Sequence, residues 1–330
     1  MPPHGTGRSA TLGMLRDVSA RGGRKALIDL VPPLIVICGP TATGKTGLSL
    51  DLAERIQGAE IISADSRQVY RGMDIGTAKA TAADRTHVLH HGLDLVEPDE
   101  PFTAADFQRY AHDALTAIAE RGGVALLVGG TGLYLRAVAR GLPLAETGRD
   151  PQTRRELEGR LEGEGLHALV ADLRGRAPTI AAATDLANPR RVVRALERAH
   201  VHGDRPPPEP RGYAGRVTWL GVDVERSVHD EWIADRVRRQ FESGLLEEAS
   251  ALLKRYPATL PAFSAVGYRE AFAVLDGTLS VDQAIDRTIV RTRQFARRQR
   301  TWFRAEPDVN WLDAADNAPA NARRVARSIL

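Results

Sequence analysis

LIVICGPTATGKT, residues Leu34 to Thr46, decides how this chain folds. Leu34 to Ile37 are apolar without a break and, with Cys38, read as a short buried strand. Gly39 to Thr46 then fits G-x-x-x-x-G-K-[ST], the phosphate-binding loop. Gly39 and Gly44 let the backbone curl until several N–H groups point at one cluster of phosphate oxygens. Lys45 adds a point charge, and Thr46 offers a hydroxyl to Mg²⁺, which makes it the candidate metal ligand. The following helix directs its positive dipole end at the same anion. Leu48, Leu52 and Ile56 recur at a spacing of four as its core face, and Gly58 stops it. The loop residues Pro40, Thr41, Ala42 and Thr43 complete the candidate phosphate site.

Outside the loop the composition is that of an ordinary soluble globular protein. The chain has 330 residues, 43% of them hydrophobic and 5% aromatic. That length suits one large domain or a core with an added module. No run approaches the roughly 18 to 20 apolar residues of a membrane span. The single cysteine, Cys38, excludes a disulfide framework and a cysteine-rich zinc site. No apolar secretory core precedes residue 30, which predicts a cytoplasmic protein. Net charge is a mild +3, but arginine is concentrated in two segments.

Residues 1–30 mix Gly, Arg, Ser and Ala without a period and read as a mobile extension. Past the loop helix, Ala59 to Ala64 reads as a second strand ending at Asp65. Open α/β sheets place their chemistry at such a carboxyl end, although a helix cap would read alike. The stretch after it, DSRQVYRGMDIGTAK, is polar and too long for a simple connection. His87, His90 and His91 have no cysteine partner and no glutamate at the zinc-helix spacing, so they predict no metal site. Thr103 to Asp106 resembles a capping box that opens a helix, with Asp in place of the usual Glu or Gln. Val124 to Val128 is a third buried strand, ending in Gly129-Gly130-Thr131-Gly132. That turn either brings backbone close to a ligand or merely joins strand to helix. Strand and helix alternate, as in a mostly parallel sheet.

From about residue 141 to 211 apolar residues thin out and charges crowd, and the segment closes on Pro206, Pro207, Pro208 and Pro210. It reads as a small helical insertion. Within it Asn188 and Pro189 launch a helix whose Arg191, Arg194 and Arg198 share one face. Val217 to Val224 restores a strand, and two or three helices follow. The last long helix, from about Val281 to Arg304, holds seven arginines between Arg287 and Arg304 and no acid. Arg293, Arg297, Arg300 and Arg304 form one stripe on it. A helix that faces only water usually interleaves Glu with Arg, so the stripe points to a polyphosphate partner, nucleic acid above all.

The order of these pieces resembles the tRNA dimethylallyltransferases, also called tRNA isopentenyltransferases. GPTATGKT, DSRQVYRGMDIGTAK, HHGLDLVEP, VGGTGLYL, VGYRE and TRQFARRQRTWFR carry the resemblance, from about Ile35 to Arg304. It implies an α/β fold: a P-loop NTPase-like core with a mostly parallel sheet, and a small helical insertion domain. The expected boundaries are 31–142 and 213–305 for the core, 143–212 for the tRNA-contacting insertion, and 306–330 for a C-terminal tail. The implied activity moves a dimethylallyl group from dimethylallyl diphosphate to N6 of the adenosine 3′ of certain anticodons. The loop would then hold a prenyl diphosphate, with Mg²⁺ on Thr46, and Lys45 would neutralise the leaving pyrophosphate.

An exocyclic adenine amine is a poor nucleophile, so the resemblance makes Asp65 the expected general base, with the target base out of its stack. It places Asp65, Ser66, Arg67, Gln68, Thr131, Arg190, Arg191, Arg194, Gly267, Tyr268 and Arg269 at the tRNA. Arg297, Arg298, Gln299, Arg300, Trp302 and Arg304 join them. Trp232 stands where the family commonly has Arg, which leaves Arg236 as the diphosphate contact. Asn188-Pro189-Arg190-Arg191 replaces a frequent Asp-Pro-Gln-Arg, and Ser264-Ala265 a frequent Arg-Cys. The partners implied are the tRNA anticodon stem-loop and the prenyl diphosphate, no membrane, and a monomeric enzyme. A P-loop small-molecule kinase and a nucleotide-regulated RNA-binding protein without chemistry both account for Gly39 to Thr46, but the kinase leaves the arginines unused.

Overall fold

β1 (Leu34–Cys38) is buried along its whole length because it runs through the middle of a parallel sheet, where both faces are covered. The structure, a computed structural model, describes residues 31–144, 150–315, 320 and 322. The expected extension, residues 1–30, lies outside them.

The other strands are β2 (Ala59–Ser63), β3 (His90–His91), β4 (Val124–Gly129), β5 (Val217–Asp223) and β6 (Val309–Asp313). Among the described residues they form one six-stranded sheet in the order β3-β2-β4-β1-β5-β6, with every pair parallel. Cys38 sits opposite Gly129 on one side and Gly221 on the other, and Ser63 opposite Val128. The carboxyl ends of β1, β2, β4 and β5 therefore reach one edge together. From that edge leave the phosphate loop, Asp65, the Gly129–Gly132 turn and Asp223.

α1 (Lys45–Arg55) buries Leu48 and Leu52, and these join Ile35, Ile37, Leu126 and Leu220 in one core cluster. Each such side chain contributes about 1.5–3 kcal/mol by leaving water. α2 (Ala82–His87) and α3 (Ala104–Glu120) follow, then α4 (Gly132–Ala139). Beyond β5 come α8 (Arg226–Glu242), α9 (Leu245–Leu253), α10 (Tyr268–Leu275) and α11 (Val281–Arg304).

The chain divides into two compact units. The sheet belongs to the first, Met1–Phe102, Arg109–Leu135 and Tyr213–Leu330. The second, Thr103–Gln108 and Arg136–Gly212, contains α5 (Pro151–Arg176), α6 (Pro178–Ala182) and α7 (Pro189–His202). Leu157, Leu169, Leu173, Val192, Val193 and Leu196 make its core. Asn188 caps α7 as expected, its Oδ1 accepting from the N–H groups of Arg190 at 3.1 Å and Arg191 at 3.3 Å. This unit starts seven residues earlier than 143 and takes in Thr103–Gln108. Gln108 accounts for part of that, since its Nε2 donates to the carbonyls of Ala137 (2.6 Å) and Leu142 (2.7 Å). No local sequence pattern announces such an amide.

Two strands were not anticipated. His90–His91 forms β3 beside β2. Val309–Asp313, assigned above to a tail, pairs with β5 as the edge strand β6. Only Leu312 of its five residues is buried, so it carries almost no apolar signal.

Candidate active site

The phosphate loop keeps its shape through contacts that glycine permits. Gly39 has φ +144°, and a Cβ there would lie 2.2 Å from the Val222 carbonyl oxygen of β5. A larger residue would force the loop off the sheet. Gly44 (φ +83°) turns the chain into α1. Thr43 Oγ1 and Lys45 Nζ both donate to the Pro40 carbonyl, at 2.9 Å and 2.5 Å.

Lys45 shares a cavity with Thr41, Thr46, Asp65 and Arg236. Burial first, and then the nearby Arg236 charge, lower the Lys45 pKa to about 8 against the opposing pull of Asp65. Burial also lowers Arg236, against the pull of Asp65. Two desolvated cations thus face one carboxylate. The imbalance favours a polyanion, whose charge would offset the desolvation of both cations and raise the Lys45 pKa again. Lys45, Thr46 and Arg236 line a second cavity as well, with Trp232, Asp235 and Arg239.

Asp65 leaves the end of β2 half-buried. Its Oδ1 accepts from the Arg67 N–H at 2.8 Å, and its Oδ2 has no donor among the described residues. That oxygen is free to accept a proton. Thr131 Oγ1 accepts from the Ser66 N–H at 3.0 Å, so the turn after β4 braces the segment that carries Asp65. The rest of the 65–79 stretch is held from several sides. Glu248 accepts from the N–H groups of Asp74 (2.8 Å), Ile75 (2.7 Å) and Gly76 (3.1 Å), and from the Tyr268 hydroxyl (2.7 Å). Buried Lys79 donates to Asp74, Asp94 and the Tyr70 carbonyl.

The residues expected at tRNA divide into two groups. Arg269, Arg297 and Arg298 are exposed and pair with no acid among the described residues, and the same holds for Arg190 in the helical unit. The others have internal partners. Arg67 donates to the carbonyls of Pro261 and Ala262 and to Ser264 Oγ. Gln68 binds Ser63 and the carbonyls of Thr77 and Ala78. Arg194 binds buried Glu197 at 2.7 Å, and Arg191 lies 3.5 Å from Asp185. Tyr268 is fully buried beneath Gly76, behind Gly267. Trp302 lies against Gly132, where a Cβ would meet its ring at 2.4 Å.

The stripe on α11 needs correction at three of its four members. Arg300 and Arg304 bind Asp223 at 2.8 Å and 3.1 Å, and Arg293 donates to the Asp230 carbonyl at 3.2 Å. Their acids, Asp223 and Asp230, lie outside the helix, so the charge pattern along it does not show them. Gln299 is 7% exposed and faces inward: its Oε1 accepts from the Thr41 N–H at 2.8 Å, and its Nε2 donates to the Gly130 carbonyl at 2.9 Å. It ties the phosphate loop to the turn after β4. Asp223 was legible in principle, because it ends β5 as Asp65 follows β2. His229 and Glu248 had no such signal.

Fold and site together define the class: an α/β transferase built on a phosphate-binding loop. The IPP transferase family model matches residues 68–306. The chain is 46% identical over 300 residues to a tRNA dimethylallyltransferase of Anaeromyxobacter dehalogenans (strain 2CP-C), covering 89% of this chain and 99% of that protein. A tRNA dimethylallyltransferase of Geobacter metallireducens is 44% identical over 294 residues, 85% of this chain and 92% of its own. Among solved structures, the tRNA isopentenylpyrophosphate transferase of Bacillus halodurans superposes with a TM-score of 0.67 at 40% identity, covering 90% and 96% of the two chains. The chain belongs to the IPP transferase family.

Proposed function

We propose that the cavity in which Lys45, Arg236 and Asp65 converge is where this enzyme carries out tRNA prenylation. It transfers a dimethylallyl group from dimethylallyl diphosphate to N6 of the adenosine immediately 3′ of the anticodon in a subset of tRNAs, and releases pyrophosphate. The convergence of two buried cations and one half-free carboxylate is the observation that supports this placement.

The reaction forms a bond from N6 to the allylic carbon and breaks the bond from that carbon to the diphosphate oxygen. Asp65 Oδ2 takes the N6 proton. The N–H groups of Gly39 to Thr46, Lys45 and Arg236 hold the diphosphate as its charge grows. Mg²⁺ suits the donors at hand: the Thr46 hydroxyl, without a protein partner among the described residues, and diphosphate oxygens, all hard ligands. A cation held there would supply positive charge to offset that of the pyrophosphate. Thr46 is the residue that would hold it.

In this reading the exposed Arg269, Arg297 and Arg298 contact the tRNA backbone, Arg190 of the helical unit is a tRNA contact of its own, and Ser66, Thr131, Gly267 and Trp302 are further tRNA contacts. The enzyme acts as a cytoplasmic monomer. No helix among the described residues is long and apolar enough to cross a membrane. Incubation with radiolabelled dimethylallyl diphosphate and unmodified tRNA tests the proposal. Label should enter tRNA, and Lys45→Ala together with Asp65→Asn should abolish it. Full labelling by that double variant would move the chemistry to another site.

A further inference from the structure

His229 is 2% exposed, sits on α8, and reaches across to the phosphate loop: its Nε2 lies 2.8 Å from the Thr41 carbonyl oxygen. Its Nδ1 lies 2.9 Å from Nη2 of Arg300. A guanidinium only donates, so Nδ1 must be the unprotonated nitrogen and Nε2 must carry the hydrogen. Arg300 is itself held by Asp223, through Nε at 2.9 Å and Nη2 at 2.8 Å. The chain Asp223–Arg300–His229 therefore sets one tautomer and aims its N–H at Thr41.

The two peptide groups beside Thr41 are both gripped. Gln299 takes the Thr41 N–H, which belongs to the same peptide as the Pro40 carbonyl that receives Lys45. His229 takes the Thr41 carbonyl, which belongs to the same peptide as the Ala42 N–H. Because a peptide is planar and trans, holding its carbonyl on one side sends its N–H to the other. The Ala42 N–H has no acceptor among the described residues, and Ala42 lines the cavity shared by Lys45, Thr46 and Arg236. Ala42 also sits at φ +62°, a backbone state that a residue with a side chain adopts reluctantly. An external tether on that peptide offsets the strain.

We infer that neutral His229 is a positioning residue for the donor site, orienting the Ala42 N–H toward the diphosphate through its grip on the Thr41 carbonyl. The inference rests on the assignment of the loop to the prenyl diphosphate. The charged groups around the ring are Arg300 of α11, Asp223 at the end of β5, and Asp230 on its own helix, with Arg293 of α11 bound to Asp230. The loop presents only a carbonyl. Burial first, and then Arg300, hold the His229 pKa below its ordinary value. Protonation would put a hydrogen on Nδ1 against the Arg300 donors and break the chain.

The test uses the full-length enzyme with His229→Leu, which removes both contacts at similar volume, and His229→Gln, which keeps a donor and an acceptor but does not titrate. His229→Leu should raise the KM for dimethylallyl diphosphate and the Kd for pyrophosphate by about 3- to 10-fold, the worth of one neutral hydrogen bond, with the KM for tRNA unchanged. His229→Gln should restore both. As the pH falls below the ordinary histidine range, for as long as the enzyme stays folded, the parent should lose donor affinity more steeply than His229→Gln, a comparison in which titration of the diphosphate itself cancels. A folded His229→Leu variant with parental donor constants overturns the inference, as does a parent whose donor affinity follows that of His229→Gln down to the lowest pH at which both stay folded. If the parent binds pyrophosphate normally but prenylates no tRNA, the functional reading fails instead.

Discussion

Arg300 of α11 lies on the carboxylate of Asp223, Nη2 to Oδ1 2.8 Å, although 77 positions separate the two residues. The contact joins the basic helix to the edge of the sheet where the site is built. It also gives an arginine that looked free in the sequence a fixed partner, so the helix serves two purposes. Its inward residues, Gln299 and Arg300, act on the phosphate loop directly or through His229. Its outward residues, Arg297 and Arg298, remain available to a polyanion.

Asp223→Asn should destabilise the protein by about 1–3 kcal/mol, because Arg300 would keep a buried hydrogen-bond partner but lose its counter-charge. Burial alone would raise the Asp223 carboxyl. The donors from Arg300, the Val224 N–H and Arg304 outweigh it and hold the group below the usual carboxylate range. A depressed folded-state pKa gives stability that is complete above the unfolded pKa of about 4 and is lost as pH falls through the folded value. The melting-temperature gap between parent and Asp223→Asn should therefore be constant from pH 7 to 5 and close below 4. A gap that persists unchanged at pH 3 would contradict this assignment.

Much of this was legible because it is local. The loop from Gly39 to Thr46, the position of Asp65 after β2 and the turn from Gly129 to Gly132 each follow from residue types at short spacing. Four parallel strands announce themselves as short runs, three of them almost wholly apolar. β6 does not, since an edge strand with one buried residue needs no such run. The partners of Arg293, Arg300 and Arg304 were invisible for a different reason. Ion pairs between distant segments depend on how the chain comes together, and a charge count along one helix has no access to that. Gln299 shows the same limit: a polar residue between Arg298 and Arg300 looks solvated until the loop it binds is brought against it.

Asp65→Asn should leave tRNA and diphosphate binding near parental levels and slow the chemical step by on the order of 10² to 10⁴. The amide keeps the Arg67 N–H contact to Oδ1 but cannot accept the N6 proton. Single-turnover transfer measured at saturating tRNA isolates the step. A rate within threefold of the parent would remove Asp65 as the base.

Lys45→Ala should raise the KM for dimethylallyl diphosphate and lower kcat, since the ammonium meets the phosphates in both the ground state and the departing pyrophosphate. tRNA affinity measured without diphosphate should not change. Should tRNA affinity fall while diphosphate affinity holds, the loop would belong to the nucleic acid and not to the donor.

The last prediction concerns the outer face of α11. Arg297 and Arg298 are exposed and have no acidic partner among the described residues, whereas Arg300 and Arg304 share Asp223. If the exposed pair neutralises tRNA phosphates, each contact adds about 0.7 to 0.9 to the slope of log affinity against log salt. Replacing both with Gln should flatten that slope by roughly 1.4 to 1.8 and weaken cognate and non-cognate tRNA alike, because phosphate contacts position without reading sequence. Gln is a good helix former, so the melting temperature should hold. Arg300→Gln makes the internal comparison. It should leave the salt slope near the parental value, lower the melting temperature, and raise the KM for the prenyl diphosphate through the His229 contact. An unchanged salt slope in the folded Arg297→Gln, Arg298→Gln variant would assign the outer face to solvent and leave α11 with only its inward contacts to the phosphate loop and Asp223.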